Sequence, residues 1–471
     1  MTLVQIAILA VLAAVLGRLK AGRQHAMLAT SAAVLFWLQP TEPIASLSFW
    51  FPAGTLVLVV VCWIITADSE ARAWRANWPA LAVLAGVGMI IGLSPSVALW
   101  LNPALMVPSA SRLLPVAISV LAFAVLGWRW RSSGRGAVIV ASMSILLVFV
   151  FIKSPSLQSA GLSLLNRLQL GKNAAEDIPL VWLGYSYVAF RLLHTLRDRQ
   201  VGRLPPVGLG EYVNYVIFFP SFVAGPIDRV QRFVSELRAP LSLTNEDWVE
   251  TATRLIVGLF KKLVLADLLA VIAFNDLLVQ YVRSPGWMWI FLYAYAFRIY
   301  LDFSAYTDIA IAIGRLLGVR LPENFAAPYL KPNIALFWNS WHMSLTQWFR
   351  AYVFNPLTRR LRTAPARLPD WLAVFVTQLV TMLLIGFWHG ITWSFALWGL
   401  WHGLGLFIHN RWSEFVRARW PGLAISPIMG RVFTVVGVFI TFNFVSLGWL
   451  FFGLSTPELA FRAFQLLFGS A

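Results

Sequence analysis

His389 and His402 lie in "GFWHGITWSFALWGLWHGL" (386–404), a run that is otherwise aromatic, small or apolar and carries no formal charge. An ionisable side chain at lipid depth is costly, and where one occurs it usually faces a bundle interior or a wet cavity. A neutral imidazole in a dry pocket offers one donor and one acceptor nitrogen, which is the equipment of a general base. Gly386 and Gly390 bracket Phe387, Trp388 and His389, and glycine on both sides lets other groups approach that ring closely. His389 is therefore the first candidate for chemistry, with Trp388 beside it. His402, on the following helix, reads as a packing residue, and His409, near Arg411, as a surface one.

Three further clusters place polar groups inside apolar runs. In "FWNSWHMSLTQWFRAYVFNPL" (337–357), Trp338, Trp341, His342, Leu345 and Trp348 follow helical spacing, so His342 shares a stripe with three indoles. The same aromatics also suit an interfacial belt. Asn339, Gln347 and Arg350 make the segment too polar for a lipid-exposed span, so a tilted or partly re-entrant helix is expected. In "YLDFSAYTDIAIAIGRLLG" (300–318), Ser304 and Asp308 share one helix face and Asp302 points elsewhere. Asp302 reads as packing glue, while Asp308 suits either glue or a cavity wall. In "FFPSFVAGPIDRVQRF" (218–233), Pro220 and Gly225-Pro226 break a hydrophobic segment that ends in Asp228 and Arg229. Non-helical backbone there must be buried in protein or line a wet cavity, unless the motif is a helix terminus with a surface ion pair. "LPENFAAPYLKPN" (321–333), with three prolines, reads as a loop.

The elements that carry these groups are membrane helices. The 471-residue chain is 59% hydrophobic and 12% charged, against about a quarter charged in soluble domains. Its mean hydropathy is +0.73. Apolar stretches long enough to cross a core about 30 Å thick recur from end to end, without the alternation of a β-barrel. Candidate spans are 3–17, 26–38, 47–66, 79–101, 113–130, 136–153, 178–197, 211–226, 252–275, 286–301, 303–318, 371–388, 391–409 and 431–453. Several are short or interrupted, so about eleven full crossings are expected, the rest being re-entrant or interfacial. The fold class is all-α and polytopic.

The net charge of +17 follows topology rather than nucleic-acid binding. Alternate connections hold Arg18, Lys20 and Arg23, then Arg72 and Arg75, then Arg129, Arg131 and Arg135, then Arg197, Arg199 and Arg203; the intervening ones are poorer. The positive-inside rule puts the N-terminus outside the cytoplasm and the turn at 390 on the extracytoplasmic side. The first segment reads as an uncleaved anchor. Cys62 is the only cysteine, which excludes an internal disulfide or a cysteine metal cluster, and no metal site is expected. The chain reads as one membrane domain over 1–471, with plain helices to 180, a motif-bearing core over 181–410 and C-terminal helices over 411–471.

"VWLGYSYVAFRLLHTLRD", "FVAGPIDRVQRF", "YLDFSAYTDIAIAIGRLLGVRLPENFAAPYL", "FWNSWHMSLTQWFR" and "GFWHG" together resemble the membrane-bound O-acyltransferase family, in its bacterial branch of alginate O-acetyltransferase and teichoic-acid D-alanyl-transfer proteins. The resemblance covers roughly residues 182–410, with the motifs in the family's order. It implies that His389, in Trp-His-Gly, is catalytic and that His342, in Trp-His-x-Ser-Leu, is the second family position. "GPIDR" leans toward the D-alanylating type and "YLDFSAYTD" toward the polysaccharide-acetylating type. Ala305, Ser340 and Arg350-Ala351 depart from many alginate-type members.

The implied fold surrounds a thinned centre with irregular helices and brings a funnel to the histidines. The implied activity is O-acyl transfer, most simply of acetyl, with no tightly bound cofactor. An acetyl-CoA or acylated carrier-protein donor docks near the basic segments 350–367 and 411–419, and the acceptor is a hydroxyl of an extracytoplasmic protein or polysaccharide. His389 acts as base, and His342 orients the acceptor or stabilises the oxyanion, helped by Asn339. Trp338, Trp341, Trp388, Ser304, Asp308, Asp228 and Arg229 are the expected tunnel or substrate-binding residues. The implied location is a bacterial cytoplasmic membrane, with D-alanyl transfer as the alternative activity. Outside enzymes, a transporter or channel would also show intramembrane Asp and His with broken helices, and a structural assembly subunit would need no titratable group in its core.

Overall fold

The computed structural model describes residues 2–19, 21–40, 47–108, 134–167, 180–363, 368–421 and 426–469. The expected span at 113–130 lies outside the described residues, as do Arg129 and Arg131 and the end of the basic segment at 364–367. Among the described residues the regular structure is helical apart from one isolated bridge, Phe325 to Trp341. Among the described residues, five helices are long and apolar enough to cross a bilayer: Leu47–Thr66, Trp74–Leu93, Arg135–Lys153, Asp370–His389 and Pro427–Gly453. The protein is a multi-pass membrane protein, and its residues pack as two compact units.

The first unit comprises Met1–Arg254 with Ala310–Leu321. Its helices are α1 (Leu3–Gly17), α2 (Arg23–Trp37), α3 (Leu47–Thr66), α4 (Trp74–Leu93), α5 (Pro95–Leu101), α6 (Arg135–Lys153), α7 (Pro155–Arg167), α8 (Tyr185–Gln200), α9 (Leu209–Val216), α10 (Val230–Arg238) and most of α11 (Asn245–Phe260). The expected span at 79–101 is two helices, because Pro95 has no backbone donor and pushes Ser94 out of helical geometry. The segment at 211–226 is likewise broken, with helix ending at Val216.

The freed backbone after Val216 is buried, and protein satisfies it. Arg191, itself 1% exposed, donates to the carbonyl oxygens of Val216 (2.8 Å) and Ser221 (3.1 Å) and to the Ser221 hydroxyl (2.7 Å). Asp228 is buried, and its carboxylate accepts from Arg232 Nε (2.8 Å) and Nη2 (2.6 Å) and from the Arg229 amide (2.7 Å). The Arg229 side chain is exposed at the start of α10.

The second unit comprises Leu255–Ile309 with Pro322–Ala471. A π-helical turn (Lys261–Ala266) leads to α12 (Asp267–Ile272), α13 (Asp276–Tyr281) and α14 (Pro285–Leu316). Then follow α15 (Ile334–Trp338), α16 (Met343–Phe349), a second π-helical turn (Arg350–Phe354), α17 (Asn355–Thr363), α18 (Asp370–His389), α19 (Trp393–Arg419), α20 (Pro427–Gly453) and α21 (Pro457–Leu467). The two spans expected at 286–301 and 303–318 are one 32-residue helix, α14. Asp302 does not interrupt it, because Lys262 Nζ lies 2.6 Å away, and Asp308 is held by Lys261 Nζ at 2.8 Å.

The helices α18 and α19 form the hairpin that carries His389. Their backbones touch through glycine, as at membrane helix crossings generally. A Cβ on Gly399 would lie 2.7 Å from the Met382 carbonyl oxygen, and one on Gly386 would collide with that of Phe395. Gly399→Ala is therefore expected to lower stability by about 1–3 kcal/mol by forcing the hairpin apart. Gly86→Ala, which adds its methyl to open space on α4, should be neutral or mildly stabilising. Melting in detergent, followed by tryptophan fluorescence, checks both.

Candidate active site

His389 is the last residue of α18, before Gly390 turns the chain in extended geometry at φ −178°. Its half-buried ring sits among aromatics, with centroid distances of 4.5 Å to Trp388, 4.7 Å to Phe452 and 5.6 Å to Trp398, and it stacks on Phe395 at 5.8 Å. Thr392 caps α19, accepting from the Phe395 amide, and so fixes the turn that follows the histidine.

The residues expected to form one continuous stripe at 337–357 are instead broken. Helix α15 stops at Trp338 and α16 starts at Met343. The Ser340 hydroxyl donates to the carbonyls of Leu336 and Phe337 (2.9 Å each), a local bond that competes with helix continuation. His342 falls at the break in left-handed backbone geometry, φ 43° and ψ 53°. That conformation is uncommon for a side chain with a Cβ and tends to cluster at functional sites. The ring is 2% exposed, edge-on to Phe303 at 4.7 Å and 6.0 Å from Trp388. Neither ring nitrogen has a hydrogen-bond partner among the described residues. Trp348 leaves the stripe and packs against Phe349 and Tyr352.

The two imidazoles share one cavity of about 40 Å³, walled also by Trp338, Trp341, Trp398, Trp449 and Phe452. It has room for a water or a group of a few heavy atoms. Among the described residues its lining contains no Asp, Glu, Lys or Arg, and the two histidines are its only titratable groups. Two larger spaces flank it. One, of about 190 Å³, shares Trp338 and Ile385 with it and is lined by Asn339, Arg350, Gln378 and Thr381. The other, of about 550 Å³, shares Phe452 and is lined by Asn275, Asp276, Thr392, Ser394 and Ser455.

Of the residues expected at the site, His342, His389, Trp338 and Trp341 thus line the central cavity, and Trp388 touches both imidazoles. Asn339 sits in the 190 Å³ space, where its Oδ1 accepts from Arg350 at 2.5 Å. Ser304 donates to the Leu301 carbonyl of its own helix, and Asp308 is held by Lys261, so neither is in the cavity wall. Asp228 and Arg229 belong to the first unit, where Asp228 is engaged by Arg232. His402 is wholly buried behind Trp338 (5.2 Å) and Trp398 (4.9 Å), outside the lining. Sequence reasoning missed Phe303, Ile385, Trp398, Trp449 and Phe452, because an apolar wall residue has the same type and period as a core residue.

Two unpartnered nitrogens on a buried imidazole cost stability, and of the two histidines that show this among the described residues, His342 and His402, only His342 lines the cavity. His342→Phe is expected to melt at or above the wild-type temperature. By contrast, His194, whose nitrogens lie 3.1 Å from the Tyr215 hydroxyl and 3.0 Å from Asp198, should cost about 1–3 kcal/mol when replaced by Phe. Melting curves of the two variants decide the point.

Residues 119–451 match the model of MBOAT, the membrane-bound O-acyltransferase family. The chain is similar to the teichoic acid D-alanyltransferase of Streptococcus thermophilus, 33% identical over 298 residues, covering 60% of this chain and 70% of that protein. It is similar to a probable alginate O-acetylase of Pseudomonas aeruginosa, 31% identical over 290 residues, with 61% and 52% covered. It is also similar to the peptidoglycan O-acetyltransferase of Helicobacter pylori, 32% identical over 267 residues, with 55% and 46% covered. The matches thus span about half the length of these two O-acetylating relatives. With its paired histidines in an aromatic cavity and a family-model match over residues 119–451, the chain belongs to the membrane-bound O-acyltransferase family.

Proposed function

We propose that the protein transfers an acetyl group from a cytoplasmic thioester to a hydroxyl on an extracytoplasmic acceptor, for O-acetylation of an exported cell-surface polysaccharide. The observation that carries this reading is the pair of imidazoles in one small cavity, flanked by a polar space on either side. Basic residues mark the donor side. Arg350 lines the 190 Å³ space, and Arg359, Arg360, Arg417 and Arg419 follow on α17 and the end of α19. By the positive-inside rule this face is cytoplasmic, and a bacterial inner membrane is the matching location. The 550 Å³ space lies at the opposite ends of α19 and α20, where the acceptor enters.

In the reaction, His389 takes the proton of the acceptor hydroxyl as its oxygen attacks the thioester carbonyl carbon. A ring N–H of His342 donates to the oxyanion that forms, since its nitrogens are not spent on other groups. Collapse breaks the carbon–sulfur bond, and the leaving thiolate takes the proton held by His389. The products are an O-acyl ester and a free thiol.

Acetyl is favoured over D-alanyl by the cavity's chemistry. A D-alanyl group brings an ammonium, which would be desolvated against a lining that offers no carboxylate. D-alanyl transfer is the second reading, supported by the 33% identical teichoic acid relative. Coenzyme A and a carrier protein deliver the same thioester, and the choice of donor is made by assay. Purified protein in lipid is given labelled acetyl-CoA, or a D-alanylated or acetylated carrier protein, with an acceptor hydroxyl.

His389→Ala is expected to lose about 10²–10⁴ in rate while keeping its melting profile. Undiminished transfer by that variant would overturn the assignment of the base. Ile385→Phe, placed where the donor-side space meets the cavity, is expected to slow acyl entry and lower kcat/KM without altering membrane insertion. Preferential use of the D-alanyl donor by the wild type would favour the second reading.

A further inference from the structure

The turn that holds His342 is not held by His342 itself. In an ordinary helix start the N-cap residue has extended backbone, and its own side chain accepts from the first free amides. His342 occupies that position for α16 in left-handed geometry and makes no side-chain cap bond. The amides are satisfied from another segment. The Asn324 backbone carbonyl accepts from the Met343 amide at 2.9 Å. Its side-chain Oδ1 accepts from the Ser344 amide at 3.2 Å and the Ser344 hydroxyl at 2.6 Å. Asn324 is fully buried, and its Nδ2 has no partner among the described residues.

The segment around Asn324 is anchored on both sides. The Ala326 amide donates to the Ser340 carbonyl at 3.0 Å, completing the bridge between Phe325 and Trp341. Phe325 packs edge-on against Phe303 and Trp341, both walls of the histidine cavity, at 5.1 Å each. Tyr329 donates to the Ala296 carbonyl on α14 at 2.7 Å and accepts from Trp449 Nε1 on α20 at 3.1 Å. The segment 321–333 is thus a brace, tied through Asn324, Ala326 and Tyr329, rather than a passive connection.

We infer that Asn324 is a positioning residue for acyl transfer: by capping α16 in place of His342, it holds the strained turn and leaves the His342 imidazole free to face the reacting group. This rests on the acyl-transfer reading above, and one of its two tests does not need activity. The first test is kinetic. Asn324→Ala, which removes the Oδ1 that accepts from the Ser344 amide and hydroxyl, is expected to lower kcat by about 10- to 100-fold with KM within about twofold, as for a misplaced catalytic group. Asn324→Asp keeps the Oδ1 acceptor and replaces the unpartnered Nδ2 with a second carboxyl oxygen, so it should restore most of kcat. Ser344→Ala should fall between.

The second test is solid-state NMR of histidine-labelled protein in lipid, with the His342 signals identified by their loss in His342→Ala. Those signals should move in Asn324→Ala and keep their positions in Asn324→Asp. Unmoved signals in Asn324→Ala, or a kcat per folded molecule equal to wild type, would overturn the inference. Equal losses in the Ala and Asp variants would overturn it too. A wild type inactive with every donor would sink the acyl-transfer reading while the NMR comparison still tests the brace.

Discussion

At membrane depth there is no water to complete a broken hydrogen bond, and this constraint organises the molecule. Three departures from plain helix are answered by specific partners. Where the helix α9 stops, Arg191 reaches the exposed carbonyls of Val216 and Ser221. Where acidic residues enter α14, the lysines of the π-helical turn meet them. Where the chain breaks between α15 and α16, Asn324 takes the amides of Met343 and Ser344. Against this background the ring nitrogens of His342 and His402 have no partner among the described residues, and of the two rings only that of His342 lines the cavity.

Backbone contact sets the second half of the site. The helices α18 and α19 approach at Gly386 and Gly399 more closely than any Cβ would allow, and that approach places Phe395 and Trp398 against His389. Helix α20 adds Phe452 and Trp449 from the other side. The aromatic walls leave about 40 Å³ beside the two imidazoles, and larger spaces with polar residues in their lining adjoin it. The cavity that holds the histidines shares Trp338 and Ile385 with one of those spaces and Phe452 with the other.

Much of this was legible in the sequence. Apolar length alone marked Leu47–Thr66, Arg135–Lys153 and Asp370–His389 nearly to the residue, because a helix in hydrocarbon needs little beyond an unbroken apolar run. Proline and glycine marked the irregular backbone after Val216, and Trp-His pairs within uncharged surroundings marked His342 and His389. Side-chain partners over long sequence separation were not legible. Asp302 looked like the end of a span until Lys262 was placed beside it, and Asn324 looked like loop until its oxygen was found under α16. The stripe at 337–357 read as one helix because periodicity cannot show that Ser340 bonds back to Leu336 and Phe337 and stops it.

The sequence by itself determined that this is a helical membrane protein with two histidines set in apolar, aromatic runs, since composition and local spacing decide what hydrocarbon tolerates. The tertiary structure decided that Ser304, Asp308 and Asp228 are held by their own helix or by basic partners, and that Trp398, Trp449 and Phe452 complete the wall. The physical reason is distance. The free energy of a polar or aromatic side chain at depth depends on which partner lies within a few ångströms, and those partners come from helices far apart in the chain.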